Sequence, residues 1–65
     1  MKNFIEVRVP TGRVLINVNL IACLREMGSH QTTIEMTSYI DDNSYYMEVP
    51  KSYDELITMI ADAQK

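Results

Sequence analysis

The chain has 65 residues, a hydrophobic fraction of 46%, a charged fraction of 23% and a formal net charge of −3. This composition is typical of a folded domain and argues against disorder, and no apolar run approaches the roughly 20 residues of a membrane span. One cysteine excludes an internal disulfide, and one cysteine with one histidine cannot supply the four ligands of a structural zinc site. Because a core of this size rarely supplies more than about 3–5 kcal/mol, either self-association or unusually good packing is expected to add stability.

Residues 4–9 (FIEVRV) and 13–16 (RVLI) predict two antiparallel strands joined by a tight turn. Apolar and polar residues alternate in the first of them, which is the period of a half-buried strand. The intervening PTGR carries Pro10, which presets φ, and Gly12, which can adopt positive φ. Residues 17–20 (NVNL) then predict a tight or 3₁₀ turn, because asparagine side chains bond to nearby backbone.

Residues 21–27 predict the third strand. Its first four residues are all apolar, so the pattern predicts a central strand that is covered on both faces. Cys23 is therefore expected in the core, since free cysteine is among the most often buried residues and a reactive thiol would need a nearby base or cation. The following GSHQ predicts a turn, with Gly28 available for positive φ and His30 in solvent.

Residues 32–40 (TTIEMTSYI) and 44–49 (SYYMEV) predict the fourth and fifth strands, joined by a turn at DDNS. The alternation places Tyr39 and Tyr46 on one outward face of this hairpin. Tyrosine is enriched at protein interfaces because it combines an apolar body with a polar tip. The sequence therefore predicts an interaction surface composed of Tyr39, Tyr46, Thr37 and Glu48; the alternative is that the two tyrosines form an ordinary cross-strand aromatic pair that stabilises the hairpin.

Residues 51–64 predict a C-terminal helix. Ser52 and Glu55 have the spacing of a capping box, in which each side chain accepts a hydrogen bond from the other residue's backbone N–H. Apolar residues then recur at intervals of three and four and define one stripe of an amphipathic helix. The predicted stripe comprises Tyr53, Leu56, Ile57, Ile60 and Ala63.

The predicted fold class is therefore α+β, with a single domain over residues 1–65. Residues 1–49 are expected to form a small five-stranded antiparallel sheet, either a meander or a partly open barrel. The C-terminal amphipathic helix is expected to pack on this sheet, because the sheet offers the available surface for its apolar stripe.

The sequence predicts no catalytic, cofactor-binding or metal-binding residues, and it identifies no small-molecule substrate. The predicted function is that of a small, non-enzymatic interaction or regulatory accessory module in the cytoplasm, where a lone thiol stays reduced. Its expected partner is another protein or a second copy of itself, in a homodimer. Membrane association is not expected.

Three arginines, Arg8, Arg13 and Arg25, define an alternative basic patch. If they gather on one side of the sheet they would suit a phosphate or an acidic partner, and otherwise they would pair with nearby glutamates across strands. The acidic net charge argues against general affinity for nucleic acid, which requires clustered basic residues. A minimal nucleic-acid-binding or transcriptional regulatory domain remains the alternative function.

The order of elements resembles the small flagellar and swarming-motility accessory proteins of bacteria. The matching positions are Asn17, Ile21, Val49, Ser52, Glu55 and Ile60. This resemblance implies a motility-related accessory role. The layout also resembles the core of LytTR-type DNA-binding domains, which contact DNA through basic loops; the loops PTGR, GSHQ and DDNS hold one arginine, so those contacts do not carry over.

Overall fold

The computed structural model describes residues 2–37 and 44–65. The predicted α+β class with five antiparallel strands and a C-terminal helix is confirmed. The elements are β1 (Phe4–Val9), β2 (Gly12–Asn17), a 3₁₀ turn (Val18–Leu20), β3 (Ile21–Gly28), β4 (Gln31–Thr37), β5 (Ser44–Val49) and α1 (Tyr53–Ala63).

The strands form two sheets and not the single five-stranded sheet that the sequence suggested. One sheet is the β1–β2 hairpin, and the other has the strand order β3–β4–β5; the two are not closed into a barrel. The 3₁₀ turn separates them, because it redirects the chain after β2. The Asn17 side chain accepts a hydrogen bond from the Asn19 N–H at 2.9 Å and fixes this turn, as predicted.

The β1–β2 hairpin follows its sequence pattern closely. Its register runs from Phe4 opposite Asn17 to Val9 opposite Gly12, and Gly12 has a φ of 139°. Only glycine adopts this conformation without strain. Ile5 and Ile16 are cross-strand partners on the inner face, and both are buried.

The prediction that β3 is a central strand, buried on both faces, is wrong. This strand lies at an edge of the three-stranded sheet, and none of its residues is buried. Cys23 is exposed, while Ile21 and Leu24 are half-buried against the core. The apolar run does not fill two faces because the core covers just one of them. Gly28 pairs with Gln31 at the end of β3 without the positive φ that was expected of it.

Strands β4 and β5 keep the predicted alternation over the described residues. Thr32, Ile34 and Val49 are fully buried on the inner face, whereas Thr37 and Glu48 are exposed. The end of the predicted fourth strand, residues 38–40, lies outside the described residues. So do residues 41–43 of the predicted turn.

Helix α1 begins with the predicted capping box. The Glu55 N–H donates to Ser52 Oγ at 3.1 Å, and the Ser52 N–H donates to Glu55 Oε1 at 3.3 Å. Leu56 is fully buried. Ile57, in contrast, is 43% exposed, and Met59 packs against the core from a neighbouring helical position. The apolar stripe is therefore rotated slightly from the one predicted.

Asn3 links the beginning of the chain to its end. The Asn3 N–H donates to the Ala63 carbonyl at 2.7 Å, and the Asn3 carbonyl accepts from the Val18 N–H at 2.9 Å. Asn3 has a φ of 65°, a conformation that asparagine tolerates better than most residues. The two bonds hold the hairpin, the 3₁₀ turn and the helix end together around the core.

Within residues 2–37 and 44–65, no helix is long and apolar enough to cross a membrane.

Candidate interaction surface and basic groove

The outer face of the three-stranded sheet carries the predicted tyrosine surface. Tyr46 is 70% exposed, and Thr37 and Glu48 are exposed on the same face. Tyr39 lies outside the described residues. The register places Tyr46 opposite Glu35, so the central strand supplies its neighbour across the sheet.

A polar row crosses all three strands of this face. Cys23 and Tyr46 lie opposite Glu35 from either side. The Cys23 thiol donates to Glu35 Oε1 at 3.1 Å, and the Tyr46 hydroxyl lies 3.5 Å from Glu35 Oε2, which accepts from it. The Glu35 carboxylate on β4 thus orients the Cys23 thiol on β3 and the Tyr46 hydroxyl on β5, the two strands that flank β4. We call the outer face with Cys23, Glu35, Thr37, Tyr46 and Glu48 the tyrosine face.

The environment of Cys23 does not favour a nucleophilic role. Its hydrogen bond to Glu35 raises the pKa of the thiol above the ordinary value, and the negative charge of Glu35 acts in the same direction, while Arg25 opposes them. A nucleophilic cysteine needs a lowered pKa, because the thiolate is the reacting species. At neutral pH the Cys23 thiol therefore stays protonated and acts as a hydrogen-bond donor.

The structure brings two of the three predicted arginines together. Arg8 and Arg13 are cross-strand partners at the turn end of the hairpin. Arg25 lies on β3, in the other sheet, opposite Thr33. Arg13 also pairs with Glu6 at 3.4 Å, which is the diagonal neighbour across the hairpin.

A surface groove of about 460 Å³ lies beside this arginine pair. The hairpin supplies one wall, and the segment before α1 and the helix itself supply the other. We call it the basic groove; its lining residues are Glu6, Arg8, Arg13, Pro50, Lys51 and Met59. Its lining therefore includes three basic residues and one acidic residue, in a protein whose net charge is −3.

Buried Thr32 holds the backbone of the groove at Lys51. The Thr32 hydroxyl donates to the Lys51 carbonyl at 2.9 Å, and the Lys51 N–H donates to the Val49 carbonyl at 2.8 Å. Thr32 is the one polar residue that is buried within the described part of the chain. Over the same residues, no buried side-chain nitrogen or oxygen lacks a hydrogen-bond partner.

The described residues contain no cluster of three or more histidine, cysteine or acidic side chains with metal-binding geometry. His30 is exposed in the turn after β3, as predicted.

Sequence reasoning missed Glu35 and Lys51 as members of these surfaces. Glu35 lies opposite Cys23 because the pairing of β3 with β4 shifts by one residue between Ile21 and Cys23, which forms a bulge. The sequence contains no pattern from which this bulge could be predicted. Lys51 was considered only as the beginning of the helix. Its position next to Pro50, at a strand-to-helix junction, is the signal that would have marked it as fixed in place.

In comparisons with known protein families, curated proteins and solved structures, the chain matches none. The resemblance to motility accessory proteins therefore stays a prediction.

Proposed function

We propose that this protein is a non-enzymatic interaction module that associates with a second copy of itself through the exposed edge of β3 and the adjoining tyrosine face. The observation that carries the proposal is the position of β3. It is the longest strand of the described residues, at eight residues, and it pairs on one side only, with β4.

An unpaired strand edge presents a row of backbone N–H and C=O groups, which form a template for another strand. Native proteins block such edges with lysine, proline, β-bulges or very short strands. Strand β3 has no lysine or proline, and its pairing with β4 shifts near each end, at Ile21/Cys23 and at Glu26/Gly28, so Cys23–Glu26 is the regular stretch open to a second strand. Edge-to-edge pairing of two β3 strands would extend the sheet across a two-fold axis. Such isologous contacts are the commonest route to homodimers.

The tyrosine face adds side-chain contacts to this edge. Cys23 belongs to both surfaces, because it lies on β3 and bonds to Glu35 on the tyrosine face. Tyr46 exposes 70% of its surface two strands away, about 10 Å from β3 at the usual strand spacing, so it contacts the second copy only where that copy also packs over the tyrosine face. There a large aromatic ring supplies contact area at low entropic cost. A dimer would also support a core that is small for an independent domain.

The compartment proposed for this module is the cytoplasm. Cys23 is an exposed free thiol, and such a group persists in reduced form in the cytosol but not in an oxidising compartment.

Sedimentation equilibrium tests the proposal, with Ala22→Lys as the first variant. Ala22 is exposed and lies at the register shift of β3, so it has no cross-strand partner in β4. A lysine there should block edge pairing without disturbing the fold. The expected result is a concentration-dependent dimer for the wild-type protein and a monomer for Ala22→Lys.

Leu15→Lys is the matched control. Leu15 is 52% exposed on β2, which is also an edge strand, but in the other sheet. The dimer should survive this change. A monomeric wild-type protein at millimolar concentration, or equal losses in the two variants, would contradict the proposal; a dimer that survives Tyr46→Ala unchanged would remove the tyrosine face from it.

A further inference from the structure

We infer that the basic groove binds the phosphate group of a phosphorylated small molecule of about nucleotide size, with Arg8, Arg13 and Lys51 as the anion-binding side chains. None of the groove residues belongs to the surface proposed for self-association, so the two proposals stand independently. The groove residues come from three places in the chain: the hairpin, the junction before the helix and the helix itself.

The arginine pair is the first argument. Arg8 and Arg13 lie directly opposite each other across the hairpin and therefore project from the same face. Like charges in this position destabilise a sheet. Glu6 compensates Arg13 at 3.4 Å, whereas Arg8 has no ion pair within residues 2–37 and 44–65. A bound dianion would convert this repulsion into two charge-assisted contacts.

The fixed position of Lys51 is the second argument. Its backbone is held by hydrogen bonds at both its N–H and its carbonyl, one of them from the fully buried Thr32. Its ammonium group lies 3.8 Å from Glu55, an exposed contact that competes weakly with a phosphate. A polar residue inside a small core is costly unless it satisfies a specific partner, and here it holds the backbone of the third cation.

The volume of the groove indicates the size of the ligand, and its lining indicates the chemistry of the ligand. A volume of about 460 Å³ lies within the range of small-molecule sites. Pro50 and Met59 offer apolar surface for the body of the ligand, and Glu6 can accept a hydrogen bond from a hydroxyl group. A nucleic acid is less suited, because the whole protein is acidic and Arg25 lies in the other sheet.

Titration of the ¹⁵N-labelled protein with adenosine monophosphate, inorganic phosphate and adenosine tests this assignment. We expect saturable amide shifts at Arg8, Arg13 and Lys51 with the nucleotide, weaker shifts with phosphate and none with adenosine. Arg8→Gln with Arg13→Gln should weaken nucleotide binding at least tenfold. The same double variant should unfold at a temperature close to that of the wild-type protein, because it removes a like-charge pair together with the exposed Glu6–Arg13 ion pair.

The matched control is Lys2→Gln with Arg25→Gln, which changes the net charge equally at exposed positions outside the groove. Binding should be unchanged in this variant. Linear, non-saturating shifts, equal weakening in both double variants, or shifts with adenosine that match those with the nucleotide would each overturn the assignment. Tighter binding of a single-stranded oligonucleotide, with steep salt dependence, would also overturn it and favour the nucleic-acid alternative.

Discussion

Strands β1 and β3 are both rich in apolar residues, yet they differ in how much of their apolar surface is buried. In β1, Ile5 and Val7 are buried and Glu6 between them is exposed, whereas β3 buries none of its eight residues. The difference is in periodicity. In β1 the alternation of apolar and polar residues shows which side chains face the core. The apolar run at the beginning of β3 does not distinguish the two faces of the strand. Whether both faces are buried therefore depends on whether other elements cover both of them.

The largest expected effect tests this contrast with one chemical change at two positions. Ile5→Ala should destabilise the protein by about 2–5 kcal/mol, because it leaves a cavity in a filled core. Ile21→Ala, at a half-buried position of β3, should cost about 1 kcal/mol or less, since the site is partly solvated already. Urea denaturation followed by circular dichroism measures both.

Ile5→Ala is expected to approach the whole stability of so small a domain. Ile5→Val provides a second measurement at that position, with an expected cost of about 0.5–1.5 kcal/mol. Equal costs for the alanine variants at positions 5 and 21 would contradict the assignment of β3 to an exposed edge.

The two glycines give a second contrast of the same kind. A Cβ atom would meet nothing within 4 Å at either Gly12 or Gly28, but only Gly12 has a positive φ. Gly12→Ala should therefore cost about 1–3 kcal/mol through backbone strain alone. Gly28→Ala should be neutral or slightly stabilising, by up to about 1 kcal/mol, because it reduces the freedom of the unfolded chain. Thermal unfolding distinguishes these outcomes.

The helix cap provides a smaller effect. Ser52→Ala removes the side-chain acceptor for the Glu55 N–H, and such a loss typically costs about 1 kcal/mol. Ser52→Thr keeps an acceptor and should recover most of the stability. A Ser52→Ala variant with unchanged stability would show that the cap contributes nothing to the fold.

The same cap predicts a pH dependence. Hydrogen bonds from the backbone and side chain of Ser52 lower the pKa of Glu55. Because the folded-state pKa is the lower one, this contribution is present above the unfolded value of about 4.3 and is lost as the pH falls through the folded value. The stability difference between the wild-type protein and Glu55→Gln should shrink in that acid range. A constant difference from pH 7 to pH 3 would contradict it.

The smallest expected effect is at Cys23. Cys23→Ala should change the stability by no more than about 0.5 kcal/mol, because the side chain is exposed. Its thiol should also react with a maleimide reagent in the folded protein, at a rate that increases with pH. If the thiol reacted only after the protein unfolds, Cys23 would be buried, as the apolar run predicted, and the exposed position would be wrong.

Much of the fold could be predicted from local patterns, and the failures have a common cause. The hairpin, the 3₁₀ turn and the capping box each depend on a few neighbouring residues, such as Asn17 or Ser52, and each was predicted correctly. The division into two sheets, the edge position of β3 and the exposure of Ile57 depend on how distant elements meet. No short stretch of sequence contains that information.

The candidate surfaces repeat this pattern. Tyr46, Arg8 and Arg13 could be identified from strand alternation, because the face of a residue is a local property. Glu35 beside Cys23, and Lys51 beside the arginines, required the register of β3 and the path of the chain into the helix.

The hydrogen bond between the Asn3 N–H and the Ala63 carbonyl has a consequence for folding kinetics. It joins residues near opposite ends of the chain, so it closes almost the longest loop that this sequence can form, and loop closure becomes slower and more costly with length. The hairpin and the helix can form early from neighbouring residues, while the bond from the Asn3 N–H to Ala63 must wait for both. During synthesis, the Asn3 N–H therefore lacks its Ala63 partner until the helix has left the ribosome, whereas the Asn3 carbonyl can already accept from Val18.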